Sequence, residues 1–334
     1  VSAGRSAKPP ADPEALLARA REGDRVALAR LLSQIERGGE SGLAVARLAY
    51  RGAVPYTVGM TGAPGVGKST LTDKLIGEVR AGWPPREGGD GDGVAQVAVL
   101  AVDPTSPFSG GAILADRVRM GQHALDATVF IRSMATRGHL GGLSLAVPGA
   151  VRLLGAAGLP VVIVETVGVG QMEVEIASAA DTTIVVVTPG WGDSMQANKA
   201  GLLEIADVFV INKADRPGVR EARRDLAQML DLSRPGAWRP DIIEATAGSG
   251  EGVADLWQAV ARHRAHLLDT GQLALRRQDR LAQELRRVLL ARAAVHVDEL
   301  AAGEEFTTAV KALAAGELDP YQAADRLLGG SDRG

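Results

Sequence analysis

The sequence predicts an α/β fold, a P-loop nucleotide-binding core whose mostly parallel central sheet is flanked by helices, with helical extensions at both ends. Three observations predict it. First, Gly62-Ala63-Pro64-Gly65-Val66-Gly67-Lys68-Ser69-Thr70 reads G-x-x-x-x-G-K-[ST], the phosphate-binding loop, set between an apolar strand and a helix. Second, short Val/Ile runs alternate with helical periodicity, as expected for strands buried on both faces of a parallel sheet. Third, both ends of the chain show helical spacing and no strand pattern. The expected division is a helical extension over 1–50, with 1–10 disordered, a core over 51–268 and a helical arm over 269–334.

Composition narrows the function classes. The chain has 334 residues, 46% of them apolar, enough for a sizeable core. A net charge of −3 gives no reason to expect nucleic-acid binding. There is no cysteine, hence no disulfide, zinc thiolate or thiol chemistry. The longest apolar runs are too short to span a bilayer, and the first residues carry no apolar signal core. A soluble cytoplasmic protein is expected.

In the preface, Asp12-Pro13-Glu14 supplies an N-cap, a proline at the first helical position and an acid in the first turn. Asp24 opens a second helix with Leu28, Leu31, Leu32 and Ile35 inside, and Ser41 opens a third. The strand Tyr56-Thr57-Val58-Gly59-Met60 then leads into the phosphate loop. Gly62 and Gly67 let the backbone N–H groups face phosphate oxygens, Lys68 places a point charge on the β- and γ-phosphates, and the Ser69 hydroxyl ligates Mg²⁺. The stretch 87–93 reads as a mobile Gly-rich loop.

Downstream, a run over 95–102 ends at Asp103, an acid at a strand's carboxyl end and well placed for Mg²⁺ or its water. Strands are expected over 128–132 and 159–164, with a helix over 143–154 between them. The second of these strands ends in Glu165-Thr166-Val167-Gly168-Val169-Gly170-Gln171, which resembles the switch II position of GTPases. Glu165 replaces the Asp of D-x-x-G, and the Gly168 N–H would sense the γ-phosphate. After a strand over 182–187, Trp191 reads either as an exposed contact residue or as a loop anchor. The strand over 207–211 ends in Asn212-Lys213-Ala214-Asp215, an N-K-x-D sequence. Asp215 can accept from guanine N1–H and its 2-amino group, a pair adenine cannot supply, so GTP is favoured over ATP. Thr246-Ala247-Gly248, after a last strand over 242–245, occupies the place of a base-contacting loop. The tail carries Leu281, Leu285, Val288 and Leu289 along one helical stripe.

These blocks resemble the MeaB/ArgK family of P-loop GTPases, which includes the mitochondrial methylmalonic aciduria type A protein. The likeness extends through Ala101-Val102-Asp103-Pro104-Thr105-Ser106, Arg132-Ser133-Met134-Ala135-Thr136-Arg137-Gly138 and Lys199-Ala200-Gly201, in family order. Met172 and Ser194 depart from the family pattern. The resemblance implies a GTP- and Mg²⁺-dependent chaperone that gates adenosylcobalamin loading and protects methylmalonyl-CoA mutase, which in turn stimulates hydrolysis. It implies homodimerisation through the tail, Mg²⁺-site or catalytic acids at Asp103, Asp116 and Glu165, and a third switch with Asp193, Gln196 and Lys199. The B12-binding D-x-H-x-x-G motif is absent, because Arg137 stands where His139 would need an acid. The competing readings are a P-loop kinase or ATPase linked to arginine or ornithine transport, a nucleotide-dependent scaffold, and a chaperone of another acyl-CoA mutase.

Overall fold

The computed structural model describes residues 12–82, 96–103, 123, 126–135, 146–166, 179–191, 201, 204–232 and 238–329. The stretches 1–10 and 87–93, read above as disordered and mobile, lie outside them. Seven strands are present among the described residues: β1 (Tyr56–Thr61), β2 (Val97–Asp103), β3 (Val129–Ala135), β4 (Val161–Thr166), β5 (Thr182–Val187), β6 (Val208–Asn212) and β7 (Asp241–Ala245). They form one sheet in the order β3-β2-β4-β1-β5-β6-β7. Every neighbouring pair is parallel. β1, β4, β5 and β6 are buried along their whole length. That is why their sequences are dominated by apolar residues rather than alternating, with a few buried polar positions such as Thr57, Glu165 and Thr182.

The helices are α1 (Pro13–Arg21), α2 (Arg25–Arg37), α3 (Gly39–Ala49), α4 (Lys68–Gly82), α5 (Ala146–Ala156), α6 (Val219–Leu232), α7 (Val253–Asp269), α8 (Gln272–Ala301), α9 (Glu304–Ala314) and α10 (Pro320–Leu327). The expected caps form: Asp12 accepts from the Glu14 N–H, and Asp24 accepts from the N–H groups of Val26 and Ala27. α3 begins two residues before Ser41, because Gly38 turns the chain with a positive φ of 68° and lets Gly39 start the next helix.

Alternating side chains of the strands feed opposite cores. Val97, Val99, Val161 and Ile163 join Val58, Met60, Ile184 and Val186 under α4 and α7. Ala98, Leu100, Val102, Val162 and Val164 face α1, α2, α3 and α5 instead. On that second face, Val185, Val187, Phe209 and Ile211 are covered by α6. The chain separates into two compact units, residues 1–280 and 281–334. The second holds the rest of α8 with α9 and α10. There Asp319 caps α10 in a reciprocal box with Gln322.

The register aligns the carboxyl ends. Glu165 stands opposite Met60 and Ala101, Asp103 opposite Ala135, and Asn212 opposite Ala245. One close crossing fixes the lead-in to β1. A Cβ on Gly155 of α5 would lie 2.4 Å from the Ala53 carbonyl oxygen and 2.4 Å from Pro55 Cδ. Exposed Gly77, inside α4, has open space at the same position. Gly155→Ala is therefore expected to destabilise the fold by about 1–3 kcal/mol through overpacking. Gly77→Ala should stabilise it by up to ~1 kcal/mol through helix propensity. Urea unfolding of the two variants should move in opposite directions.

Candidate nucleotide site

β1 ends at Thr61, and the phosphate loop turns from it into the first residue of α4, Lys68. Lys68 is buried, and its ammonium donates to the carbonyls of Gly62 at 2.5 Å and Ala63 at 3.0 Å. The loop thus positions its own cation above the N-terminus of α4, where the helix dipole adds further positive potential. Gly65 and Thr70 are among the exposed residues of this turn, whereas Val66 is buried beneath it.

Ser69 and Glu165 meet directly. The Ser69 hydroxyl donates to Glu165 Oε1 at 2.6 Å, and Glu165 is buried at the end of β4. A buried carboxylate beside a serine hydroxyl is a hard-oxygen donor set, and it suits Mg²⁺. β2 brings Asp103 to the same edge of the sheet, two positions beyond the partner of Glu165. Among the expected site residues, Asp116, Gly168, Asp193, Gln196 and Lys199 lie outside the described residues.

The N-K-x-D turn is joined to the phosphate loop through Asn212. Its carboxamide Nδ2 donates to the Val66 carbonyl at 2.7 Å, and its Oδ1 accepts from the Ala247 N–H at 3.0 Å. One buried side chain therefore ties the phosphate loop to the segment Thr246-Ala247-Gly248. This is also why position 67 is glycine. Its φ is +96°, and a Cβ there would lie 2.4 Å from Asn212 Nδ2. Lys213 has a φ of 61° and is the one non-glycine with positive φ among the described residues. Its ammonium donates to the Gly65 carbonyl at 2.7 Å. The turn is held by hydrogen bonds from Ala214 N–H to the Ala245 carbonyl and from Arg216 N–H to the Lys213 carbonyl. The strain of a left-handed lysine is thus offset by local hydrogen bonds. Asp215 and Gly248 stand exposed at the mouth, and Thr246 closes its own turn through the Ser249 and Gly250 N–H groups.

Trp191 resolves as the anchor. It is buried in the cluster with Val187, Phe209 and Leu226, just after β5. The sequence reading missed a second set of buried polar residues, Asp181, Asp207 and His263, at the opposite ends of the strands. The available signal was the spacing of Arg276, Arg277 and Arg280 on one helix.

Removing the Asn212 carboxamide leaves a buried carbonyl and a buried N–H unpaired. Asn212→Ala should cost about 2–3 kcal/mol of stability and weaken guanine-nucleotide binding about tenfold or more. Thermal unfolding and titration calorimetry would read both effects.

Comparison with known proteins agrees with this geometry. The sequence profile described as "Methylmalonyl Co-A mutase-associated GTPase MeaB" matches residues 28–302. A Pyrococcus horikoshii relative assigned as a GTPase is 45% identical over 322 residues, 94% of this chain and 96% of its own. The GTPase ArgK of Escherichia coli is 37% identical, with 80% of this chain and 81% of its own covered. The mitochondrial methylmalonic aciduria type A homolog of Mus musculus is 32% identical over 82% of this chain and 65% of its own. Among solved structures, one described as a LAO/AO transport system kinase superposes with a TM-score of 0.67 at 28% identity, covering 97% of this chain and 99% of its own. With a phosphate loop, an N-K-x-D turn and Glu165 assembled at one sheet edge, the chain belongs to the MeaB family of P-loop GTPases and is a GTP hydrolase.

Proposed function

We propose that this GTPase serves an adenosylcobalamin-dependent acyl-CoA mutase, in first place methylmalonyl-CoA mutase, gating the loading of its cofactor and protecting it from inactivation. The observation that carries the reading is the Ser69–Glu165 hydrogen bond. It links the phosphate loop to the strand from which the 165–171 segment continues. A change in that bond between nucleotide states would reach the start of the segment, which is what a partner-sensing switch requires. Family membership supports this partner class, since the matching profile is named for the mutase.

In hydrolysis, Lys68 and the loop N–H groups would hold the β- and γ-phosphates and offset the charge that develops on them. Asp215 would fix the guanine, with Asn212 holding its turn against the phosphate loop. Ser69 and Glu165, with Asp103, are the residues that would hold Mg²⁺, which when bound neutralises phosphate charge. The resemblance assigns Asp116 to the same chemistry, Gly168 to sensing the γ-phosphate, and Asp193, Gln196 and Lys199 to a third switch. In the sequence Val169, not a glutamine, follows Gly168, so intrinsic hydrolysis is expected to be slow and to be stimulated by the mutase. The protein works in the cytoplasm, a setting with which the absence of a helix long and apolar enough to cross a membrane, among the described residues, is compatible.

The test is GTP turnover by the purified protein with and without the mutase. Strong stimulation, up to ~10³–10⁵-fold, is expected, lost in Lys68→Ala, with the labelled γ-phosphate appearing only as inorganic phosphate. Fast turnover indifferent to the mutase would overturn the reading. Label on arginine or ornithine would move it to a transport-linked kinase.

The tail supports a homodimer. No residue of α8 is buried, and Leu285, Leu289 and Leu290 are each about 60% exposed, an apolar stripe that a second copy would cover. Leu285→Asp with Leu289→Asp should convert dimer to monomer in light scattering, leaving basal GTP hydrolysis in place.

A further inference from the structure

The amino ends of β5 and β6 are built alike. Asp181 precedes β5; its N–H donates to the Thr57 carbonyl at 2.7 Å, and its Oδ2 accepts from the Thr57 N–H at 3.0 Å. Asp207 precedes β6; its N–H donates to the Thr183 carbonyl at 3.0 Å, and its Oδ2 accepts from the Thr183 N–H at 2.9 Å. Each aspartate thereby staples the foot of its strand to the neighbouring strand, Asp181 to β1 and Asp207 to β5.

Both carboxylates are buried, and both are gripped by the first turns of α8. Arg277 forks onto Asp181 with Nε at 3.1 Å and a terminal nitrogen at 2.7 Å. Arg280 pairs with Asp181 as well and donates to the Ala179 carbonyl. Arg276 donates to both oxygens of Asp207, at 3.0 and 3.1 Å, and to the Asp181 backbone carbonyl at 3.3 Å. It therefore touches both feet. His263 also approaches Asp207, with Nε2 3.2 Å from Oδ1. Its Nδ1 is 2.8 Å from the Thr182 hydroxyl, which is 2.5 Å from the Tyr56 hydroxyl. Burial would raise the Asp207 carboxyl, but His263 and Arg276 outweigh it and hold the group below the ordinary carboxylate value. The foot stays charged and locked.

β6 runs from this foot to Asn212, and the guanine turn follows it directly. Five buried residues, all in register with β7 and four of them also with β5, make a stiff spacer of about 17 Å. We infer that Arg276 is a positioning residue for guanine recognition: by fixing the Asp207 foot against the Asp181 foot, it sets where β6 delivers Asn212 and Asp215 relative to the phosphate loop carried by β1. The inference needs only guanine-nucleotide binding, not the identity of the partner.

The test compares GDP with IDP, whose base lacks the 2-amino group, by calorimetry. A variant that merely unfolds part of the protein lowers both affinities together and leaves their ratio untouched. A misplaced Asp215 lowers the GDP affinity more. Arg276→Met is expected to reduce the GDP-over-IDP ratio by about fivefold or more. Arg276→Lys, which cannot span both feet, should restore it in part. If Arg276→Met does not fold, the charge-balanced pair Arg276→Met with Asp207→Asn carries the same expectation. Arg262→Met removes an exposed pair with Asp241 at the foot of β7 and is the control, with an unchanged ratio. A ratio within twofold of the parent in a folded Arg276 variant would overturn the inference, whatever happens to stability.

Discussion

The carboxamide of Asn212 is the contact on which the site depends. A nucleotide has a phosphate end and a base end, and a protein must hold the two recognition loops at a fixed separation to read both. Here one buried amide donates to the phosphate loop and accepts from the 246–248 loop. Its demands spread outward. Gly67 has no side chain because the amide occupies that space, and Lys213 takes a left-handed turn as the chain leaves β6. The Lys213 ammonium then adds a second tie to the phosphate loop at Gly65. Mutual support of this kind makes a loop cluster rigid without regular secondary structure.

The sheet beneath is arranged to serve that contact. All seven strands are parallel, so their carboxyl ends, with the loop N–H groups that follow them, gather at one edge. The opposite edge receives the buried charges. Asp181 and Asp207 sit where the strands begin, and α8 neutralises them with three arginines. Buried ion pairs add little net stability, because desolvation offsets their attraction. What they supply is geometry, since a forked guanidinium accepts few alternative placements. One end of the sheet is thus fixed by charge and the other by an amide. Glu165 reaches the nucleotide edge through the middle of the same sheet.

The nucleotide core was legible in the sequence because chemistry dictates residue type there. A phosphate loop tolerates few alternatives at Gly62, Gly67, Lys68 and Ser69, and a guanine turn few at Asn212 and Asp215. The strands were legible because burial on both faces favours apolar and β-branched residues, as at 182–187. The order β3-β2-β4-β1 was not, since periodicity carries no record of which strands are neighbours. Asp181 and Asp207 were missed for a related reason. An aspartate before a strand is commonly a turn residue, and only the folded chain shows α8 returning over both. Trp191 had two readings because a tryptophan in a loop is equally suited to water's edge or a core, and the cluster under α6 decided between them. The tail's leucines and arginines share one helix, yet Arg276, Arg277 and Arg280 are engaged while Leu285 and Leu289 are bare.

The central position of β1 has a consequence for how the chain is made. β1 pairs only with β4 and β5, so a ribosome that has released the phosphate loop has released a strand with no partner. β2 and β3 can join each other as they emerge, but β1 waits for Val161 and then Thr182 before either of its edges is closed. During that interval an apolar strand with two open edges is exposed to pairing with other nascent chains. Loop closure over such separations is slow. The interval before β5 appears is therefore the one in which an edge of β1 stands open.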